Sequence, residues 1–452
     1  MEDPRLKEGL GSGTSKDDDG RGKNVISHEN EQTSVIMSTP RVATLDAFRG
    51  LTIVVMILVD HAGWAYPRID HSPWNGCTLA DFVMPFFLFI VGVSIALALK
   101  RVPNVKYAVK KIILRTLKLL FWGILLQGGY TRGLDDLSYG VDMKKIRWFG
   151  ILQNSFGVLC RGLNRNYDNK AQIDKSRTRS FLDIHCLQMA MDRWICCICS
   201  LHGHNILSVK CGMRGHLGPA CNAVGYVDRQ VWGINHLYGK PVFSRLRACT
   251  LSSPDSGPFR KNAPNWCRAP FEPEGLLSSI SAIISGTIGV HYGHVLIHFK
   301  GHGERLKQWV SMALVLLIVA VILHFTDAIP MNKQLYSFSY VCFTAGAAGI
   351  VFSGFYILID VWGMRVPFLF LEWIGMNSML VFVLAAHKIF TSFIKGWYFE
   401  DPDNNLVNWI LQHVFSNVSK RVGALLYVIF VEITFWAVVS GILHRLGIYW
   451  KL

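Results

Sequence analysis

Apolar residues in this chain come in blocks long enough to cross a lipid bilayer, and that leaves the backbone few solutions. A helix needs roughly 20 apolar residues to traverse a hydrocarbon core of about 30 Å. Inside that core every backbone N–H and C=O must be satisfied within the protein. Windows of this kind fall near 50–66, 79–99, 111–129, 276–298, 308–325, 338–360, 367–387 and 424–447. The expectation is an all-α polytopic membrane protein, a helical bundle of about eight spans. Residues 1–45 are charged and poor in large apolar side chains, so they are read as a disordered tail.

The formal net charge of +15 would suit a nucleic-acid binder, but its distribution follows the positive-inside rule. Lys100, Arg101, Lys106, Lys110 and Lys111 fill one loop; Lys300, Arg305 and Lys307 fill a second; His444, Arg445 and Lys451 close the chain. Placing these on the cytosolic side makes both termini cytosolic and calls for no nucleic-acid partner. Loop 60–78, segment 209–275, and loops 326–337 and 388–423 then face the lumen or exterior of an endomembrane compartment or the plasma membrane. The acceptor sequence Asn417-Val418-Ser419 falls on that same side.

Loop 60–78 concentrates titratable groups between two apolar runs: Asp60, His61, Arg68, Asp70 and His71, followed by Ser72-Pro73-Trp74-Asn75-Gly76. Charged groups at a membrane edge are costly and point to function. A histidine here can exchange a proton near neutral pH or act as a nucleophile. Asp60 or Asp70 could orient the imidazole and stabilise its cation. Trp74 and Trp64 suit an interfacial aromatic belt, and Trp74 could also stack on a sugar face. Asn75 could bond substrate or shape the turn. Asp81 lies inside an apolar span and needs a partner such as Arg49, or a function of its own. Proton relay through Asp60, His61, His71 and Asp81 in a proton-coupled transporter or channel is the alternative of a different class. Such proteins often carry internal repeats with interrupted helices, and no clear repeat is visible.

Cys211, Cys221, Cys249 and Cys267 lie in the non-cytosolic segment 209–275, where two disulfides in any of three pairings can form. Five more cysteines (Cys160, Cys186, Cys196, Cys197 and Cys199) sit with His185, His202 and His204 in 154–208, a polar, cysteine-rich stretch without a helical apolar stripe. Their spacing matches no zinc pattern, so no metal is expected. The organisation read from the chain is therefore a tail (1–45), an N-terminal membrane bundle (46–153), an aberrant segment (154–208), a loop region (209–275) and a C-terminal membrane bundle (276–452).

Six motifs occur in order: Asp46-Ala47-Phe48-Arg49-Gly50, His71-Ser72-Pro73-Trp74-Asn75-Gly76, Leu79-Ala80-Asp81-Phe82-Val83-Met84-Pro85, Gly225-Tyr226-Val227-Asp228-Arg229, Phe271-Glu272-Pro273-Glu274-Gly275 and Gly375-Met376-Asn377-Ser378. With them the chain resembles the heparan-alpha-glucosaminide N-acetyltransferase family, its plant members in particular, over about 41–153 and 209–452. The resemblance implies a multi-span lysosomal or vacuolar enzyme that moves acetyl from cytosolic acetyl-CoA, as co-substrate, to an amine acceptor across the membrane. In the animal member that acceptor is the terminal glucosamine of heparan sulfate. The implied acceptor here is an amine of amino-sugar type, and the implied assembly is a homodimer.

The family's active-site histidine opens the His-x-x-Trp-Asn-Gly motif, which selects His71. Asp60 stands where the animal enzyme has asparagine. Asp70, Trp74 and Asn75 become substrate-binding candidates, and Lys110, Lys111 and Arg115 candidates for the phosphates of acetyl-CoA. Two departures stand out: the animal member's large N-terminal lumenal domain has no counterpart, and 154–208 replaces two family spans. The second departure raises an inactive isoform as a further alternative.

Overall fold

The computed structural model describes residues 42–99, 105–127, 142–148, 150, 217–386, 389–415 and 418–450. The tail, the segment 154–208 with its cysteines and histidines, Cys211 and Asn417 lie outside the described residues. Among those described, helices dominate and the only β pairing is three isolated bridges. The chain runs through α1 (Ala43–Ala62), α2 (Val83–Leu99, preceded by a tight turn Leu79–Phe82), α3 (Val105–Leu125) and α4 (Ala223–Trp232). Then come α5 (Leu276–His298), α6 (His302–Phe325), α7 (Phe338–Tyr356), α8 (Leu369–Met376) and α9 (Ser378–Val381). The short α10 (Ile389–Lys395), α11 (Leu406–His413) and α12 (Lys420–Leu426) lead to the last helix, α13 (Ile433–Arg445).

Among the described residues five segments are long and apolar enough to cross a membrane: Leu79–Ala98, Leu276–His298, His302–Phe325, Phe338–Val361 and Lys420–Arg445. A sixth, read from sequence as one span at 367–387, is bent by 70° between Val366–Met376 and Ser378–Ala385. Asn377 sits at the break, fully buried, and its side-chain oxygen accepts from the Trp450 N–H at 3.3 Å. The chain is thus an integral multi-pass membrane protein.

α1 starts well before the apolar window that announced it. Its first turns carry Asp46 and Arg49, which neutralise each other as an i,i+3 pair at 3.0 Å. Arg49 also donates to Ser94 on α2 at 3.1 Å. Hydropathy alone ends the apolar window at such charges; paired on one helix face, they leave the helix unbroken.

Close packing uses glycine, because without a hydrophobic drive in lipid the helices gain from intimate contact. A Cβ at Gly92 of α2 would come within 2.0 Å of the Gly286 carbonyl oxygen on α5, and one at Gly289 within 2.1 Å of the Phe89 carbonyl. An aromatic cluster of Phe48, Phe89, Tyr292, Trp309 and Phe352 fills the space between α1, α2, α5, α6 and α7. Tyr292 and Trp309 bond each other's backbone, Tyr292 Oη to the Trp309 carbonyl at 2.8 Å and Trp309 Nε1 to the Tyr292 carbonyl at 3.2 Å.

Three segments expected on the non-cytosolic side converge at one end of these helices, and a fourth joins them. Asn75 pairs as an antiparallel bridge with Asn332, Arg245 reaches Asp70, and Arg421 approaches Asp255 at 3.7 Å. In the 217–275 region Cys249 and Cys267 form a disulfide, and Cys221 is also disulfide-bonded.

Candidate functional site

Beyond α1 the chain makes a short turn (Gly63–Ala65), crosses loop 66–78 and re-enters through the Leu79–Phe82 turn. Asp81 organises that return. Its Oδ2 accepts the backbone N–H of Thr78 at 3.0 Å, closing the reciprocal half of a capping box, and the N–H of Ser72 at 3.2 Å. Its Oδ1 lies 2.8 Å from Nδ1 of His71. The carboxylate is wholly buried, so cap and histidine support are one group. Arg49, offered by the sequence as the partner of Asp81, is engaged with Asp46 and Ser94 instead.

Lys333 completes the cluster. Its ammonium stands 3.0 Å from Nδ1 and 3.3 Å from Nε2 of His71, and 3.8 Å from Oδ1 of Asp81. What brings it there is the Asn75–Asn332 bridge, where Asn332 Nδ2 donates to the Asn75 Oδ1 at 3.2 Å and Gly76 N donates to the Met331 carbonyl at 2.8 Å. Asn332 is buried and also receives the Leu335 N–H at 2.9 Å.

The site's third support comes from the 217–275 region. Asp70 accepts the His71 N–H at 2.6 Å and forms a salt bridge with Arg245, which also donates to the His71 carbonyl at 2.6 Å. Asp70 therefore fixes the histidine's backbone, while Asp81 orients the ring.

Burial and the neighbouring Lys333 charge hold the His71 imidazole below its ordinary pKa, against the opposing pull of Asp81 and Asp70. The balance of these effects favours the neutral ring over the imidazolium. With Nδ1–H directed at Asp81, Nε2 carries the lone pair. His71 and Lys333 face a cavity of about 160 Å³, walled on its apolar side by Met56, Val59, Val83, Met84, Phe87 and Phe382. Asp60, at the solvent-exposed edge, lines the same cavity.

Trp74 is not in a surface belt. It is buried with Phe243 and Phe271 at ring separations of 5.8 and 6.0 Å, and Nε1 donates to the Leu217 carbonyl at 3.0 Å. Lys110, Lys111 and Arg115 lie on α3. Lys110 and Lys111 are exposed, and Arg115 is close enough to Arg49 for their charges to interact, toward the opposite end of α1 from Asp60.

A second polar group buttresses the site from the 217–275 side. Arg147 grips Glu272 through two nitrogens and lies over the Tyr238 ring at 4.9 Å. Glu274, 4.0 Å from Arg147, is buried, which pushes its carboxyl up to about 7 despite the Arg147 charge. Asp228 is likewise raised by burial, to about 6, although it accepts the Leu276 N–H at the start of α5.

Lys333 and the pairing of Asp81 with His71 escaped sequence reasoning. One signal was available: Lys333 is a lone basic residue in a loop assigned to the non-cytosolic side, where the charge rule expects few.

Residues 41–159 match a family model described as heparan-alpha-glucosaminide N-acetyltransferase, catalytic. The chain is 27% identical over 446 residues to the human heparan-alpha-glucosaminide N-acetyltransferase, covering 91% of this chain and 60% of that protein. The mouse protein of the same name is 27% identical over 448 residues, covering 92% and 61%. The chain thus spans about three fifths of the length of these curated relatives.

Proposed function

We propose, on the match of residues 41–159 to the heparan-alpha-glucosaminide N-acetyltransferase catalytic model and the likeness to the human protein, that this chain is a member of that family and transfers acetyl from acetyl-CoA to an amine, of amino-sugar type, at His71. The observation that carries the reading is the cluster itself: a cavity-facing histidine, its Nδ1 2.8 Å from a buried carboxylate, beside a lysine ammonium.

In this mechanism Nε2 of His71 removes a proton from the acceptor ammonium. The freed amine attacks the thioester carbon, the carbonyl oxygen becomes an oxyanion, and the C–S bond breaks to release CoA as its thiolate, which takes up a proton. One proton is left over for each amide formed. Asp81 fixes the tautomer and stabilises the imidazolium, as a buried carboxylate does in a triad. Lys333 has two tasks: its charge disfavours protonation of His71 in the resting site, and its ammonium can receive the oxyanion. Asp60, across the cavity, is suited to attract a cationic acceptor.

Under the charge-rule topology the His71 end faces the lumen or exterior of an endomembrane or plasma membrane, with both termini cytosolic. Lys110, Lys111 and Arg115 then lie where the phosphates of cytosolic acetyl-CoA would be met.

The test is acetyl transfer from labelled acetyl-CoA to glucosamine in membranes containing the chain. His71→Ala is expected to reduce the product to background with protein amount unchanged. Undiminished acetylation in that variant would remove His71 from the chemistry.

A further inference from the structure

The span Lys420–Arg445 buries little of its surface, and beyond Gly423 and Val428 most of the residues that it turns inward carry a polar atom. From Glu432 onward its buried residues are Glu432, Trp436, Ser440 and Gly441. Glu432, Trp436 and Ser440 recur at every fourth position, hence along one face of the helix, and His444, half-buried, stands at the next such position. A helix in lipid ordinarily buries small or apolar residues against its neighbours. An inward row of this chemistry is how membrane proteins line a route for ions or protons.

Glu432 lies near the middle of its span and at the end of a widened, π-type turn, Tyr427–Glu432, a distortion frequent at functional sites. Its carboxylate meets Nδ1 of His61, on α1, at 2.7 Å. Tyr427 is also close enough to feel the Glu432 charge. Less than a tenth of the His61 side chain is exposed, and its Nε2 makes no hydrogen bond among the described residues. Trp436 Nε1, Ser440 Oγ and Asn377 Nδ2, the last from the break between α8 and α9, are buried in the same condition. At the far end His444 Nδ1 pairs with the Tyr449 hydroxyl at 2.8 Å. Unpartnered polar atoms from three elements, fully or nearly fully buried, call for bound water.

We propose that the inward face running from Glu432 to His444, entered through His61, is a hydrated proton-conducting seam through the bundle. It covers about 18 Å at about 1.5 Å per residue. A proton accepted at Nε2 of His61 releases the one on Nδ1 to Glu432, leaving the ring neutral in its other tautomer; once Glu432 has passed its proton on, a turn of the ring or a tautomer exchange resets it. Trp436, a donor only, anchors a water by its oxygen, and Ser440 both donates and accepts. The seam is separate from the His71 cavity: on α1 Asp60 lines that cavity, while the adjacent His61 meets Glu432.

The experiment uses the full chain in phosphatidylcholine–phosphatidylglycerol vesicles with an entrapped pH dye, driven by a potassium gradient and valinomycin. Proton entry several-fold above protein-free vesicles is expected, falling to the protein-free rate in Glu432→Gln. A wild-type rate equal to protein-free vesicles, or full flux in Glu432→Gln, overturns the proposal. Should Glu432→Gln fail to yield folded protein, Trp436→Phe and Ser440→Ala decide. Both keep the packing, and each is expected to lower flux about threefold or more; full flux in both overturns the seam. Acetyl transfer is read on the same vesicles, so its absence with proton flux present counts against the acetyltransferase reading and not against the seam.

Discussion

His61 and His71 each place Nδ1 against a carboxylate, at 2.7 and 2.8 Å, yet the two pairs are built differently. The His61–Glu432 pair joins two helices and has no cation within bonding distance among the described residues. The His71–Asp81 pair sits on a loop pinned from three directions, with Lys333 beside it and a cavity in front. The same contact therefore carries different chemistry according to its surroundings. A neutral, oriented imidazole beside a cation is prepared to take a proton from a substrate. A buried imidazole with an unpartnered nitrogen is prepared to hand a proton onward.

The sharpest way to break this distinction is to remove one carboxylate's charge at a time. Asp81→Asn is expected to lower acetyl transfer about 10²–10⁴-fold, the range usual for acid–base assistance. The amide cannot both cap the Leu79–Phe82 turn and hold Nδ1–H of His71. Glu432→Gln is expected to leave acetyl transfer within a few-fold of wild type. Equal losses in the two variants, measured per folded protein, would mean that both pairs serve one reaction.

Lys333 tests the same contrast more finely. Its charge helps to hold His71 below the ordinary histidine pKa, so Lys333→Met must raise that pKa. The acid limb of the acetyl-transfer profile then moves to higher pH, and activity on the acid side drops by up to about tenfold for each pKa unit gained. An acid limb that stays in place would show that the lysine charge does not govern the imidazole.

How far this arrangement could be read from the sequence depends on the range of the interaction. Apolar windows announced the membrane helices, and the crowded loop announced His71 and Asp60, because both signals are local. The bend at Asn377 was hidden, since one polar residue in an apolar run does not reveal that the chain turns there. Asp81 was legible as a buried charge but not as the histidine's support, because the capping box that aims it appears only once the loop closes. Lys333 and Arg245 reach His71 from distant parts of the chain, through the Asn75–Asn332 bridge and the 217–275 fold. No periodicity in the sequence encodes such a meeting.

The buttress behind the site holds its carboxyls above the ordinary carboxylate range. Glu274, raised to about 7, and Asp228, raised to about 6, hold protons in the folded protein that an unfolded chain has already lost over the same range. The folded state binds more protons between the ordinary carboxylate pKa and these values, so stability must fall as pH rises through that window. The melting temperature in detergent is expected to be higher at pH 5 than at pH 7.5, and Glu274→Gln is expected to flatten the difference. A melting temperature that rises with pH across this interval would contradict the burial of Glu274.

The smallest effect is expected at Trp74, which the sequence offers as a sugar platform and the structure buries. Trp74→Phe keeps a ring against Phe243 and Phe271 and deletes only the Nε1–H bond to the Leu217 carbonyl. One such bond contributes about 0.5–1.5 kcal/mol, so the melting temperature should drop by a few degrees. Loop 66–78 remains held by Arg245, Asn332 and the Asp81 cap, and His71 should keep its aim. The acceptor KM is therefore expected to stay within about twofold, far below the loss from deleting a stacking contact worth about 1–3 kcal/mol. A KM that rises tenfold while the melting temperature holds would reverse the assignment and make Trp74 part of the acceptor site, moving the boundary between scaffold and chemistry from Asp70 to the far side of the loop.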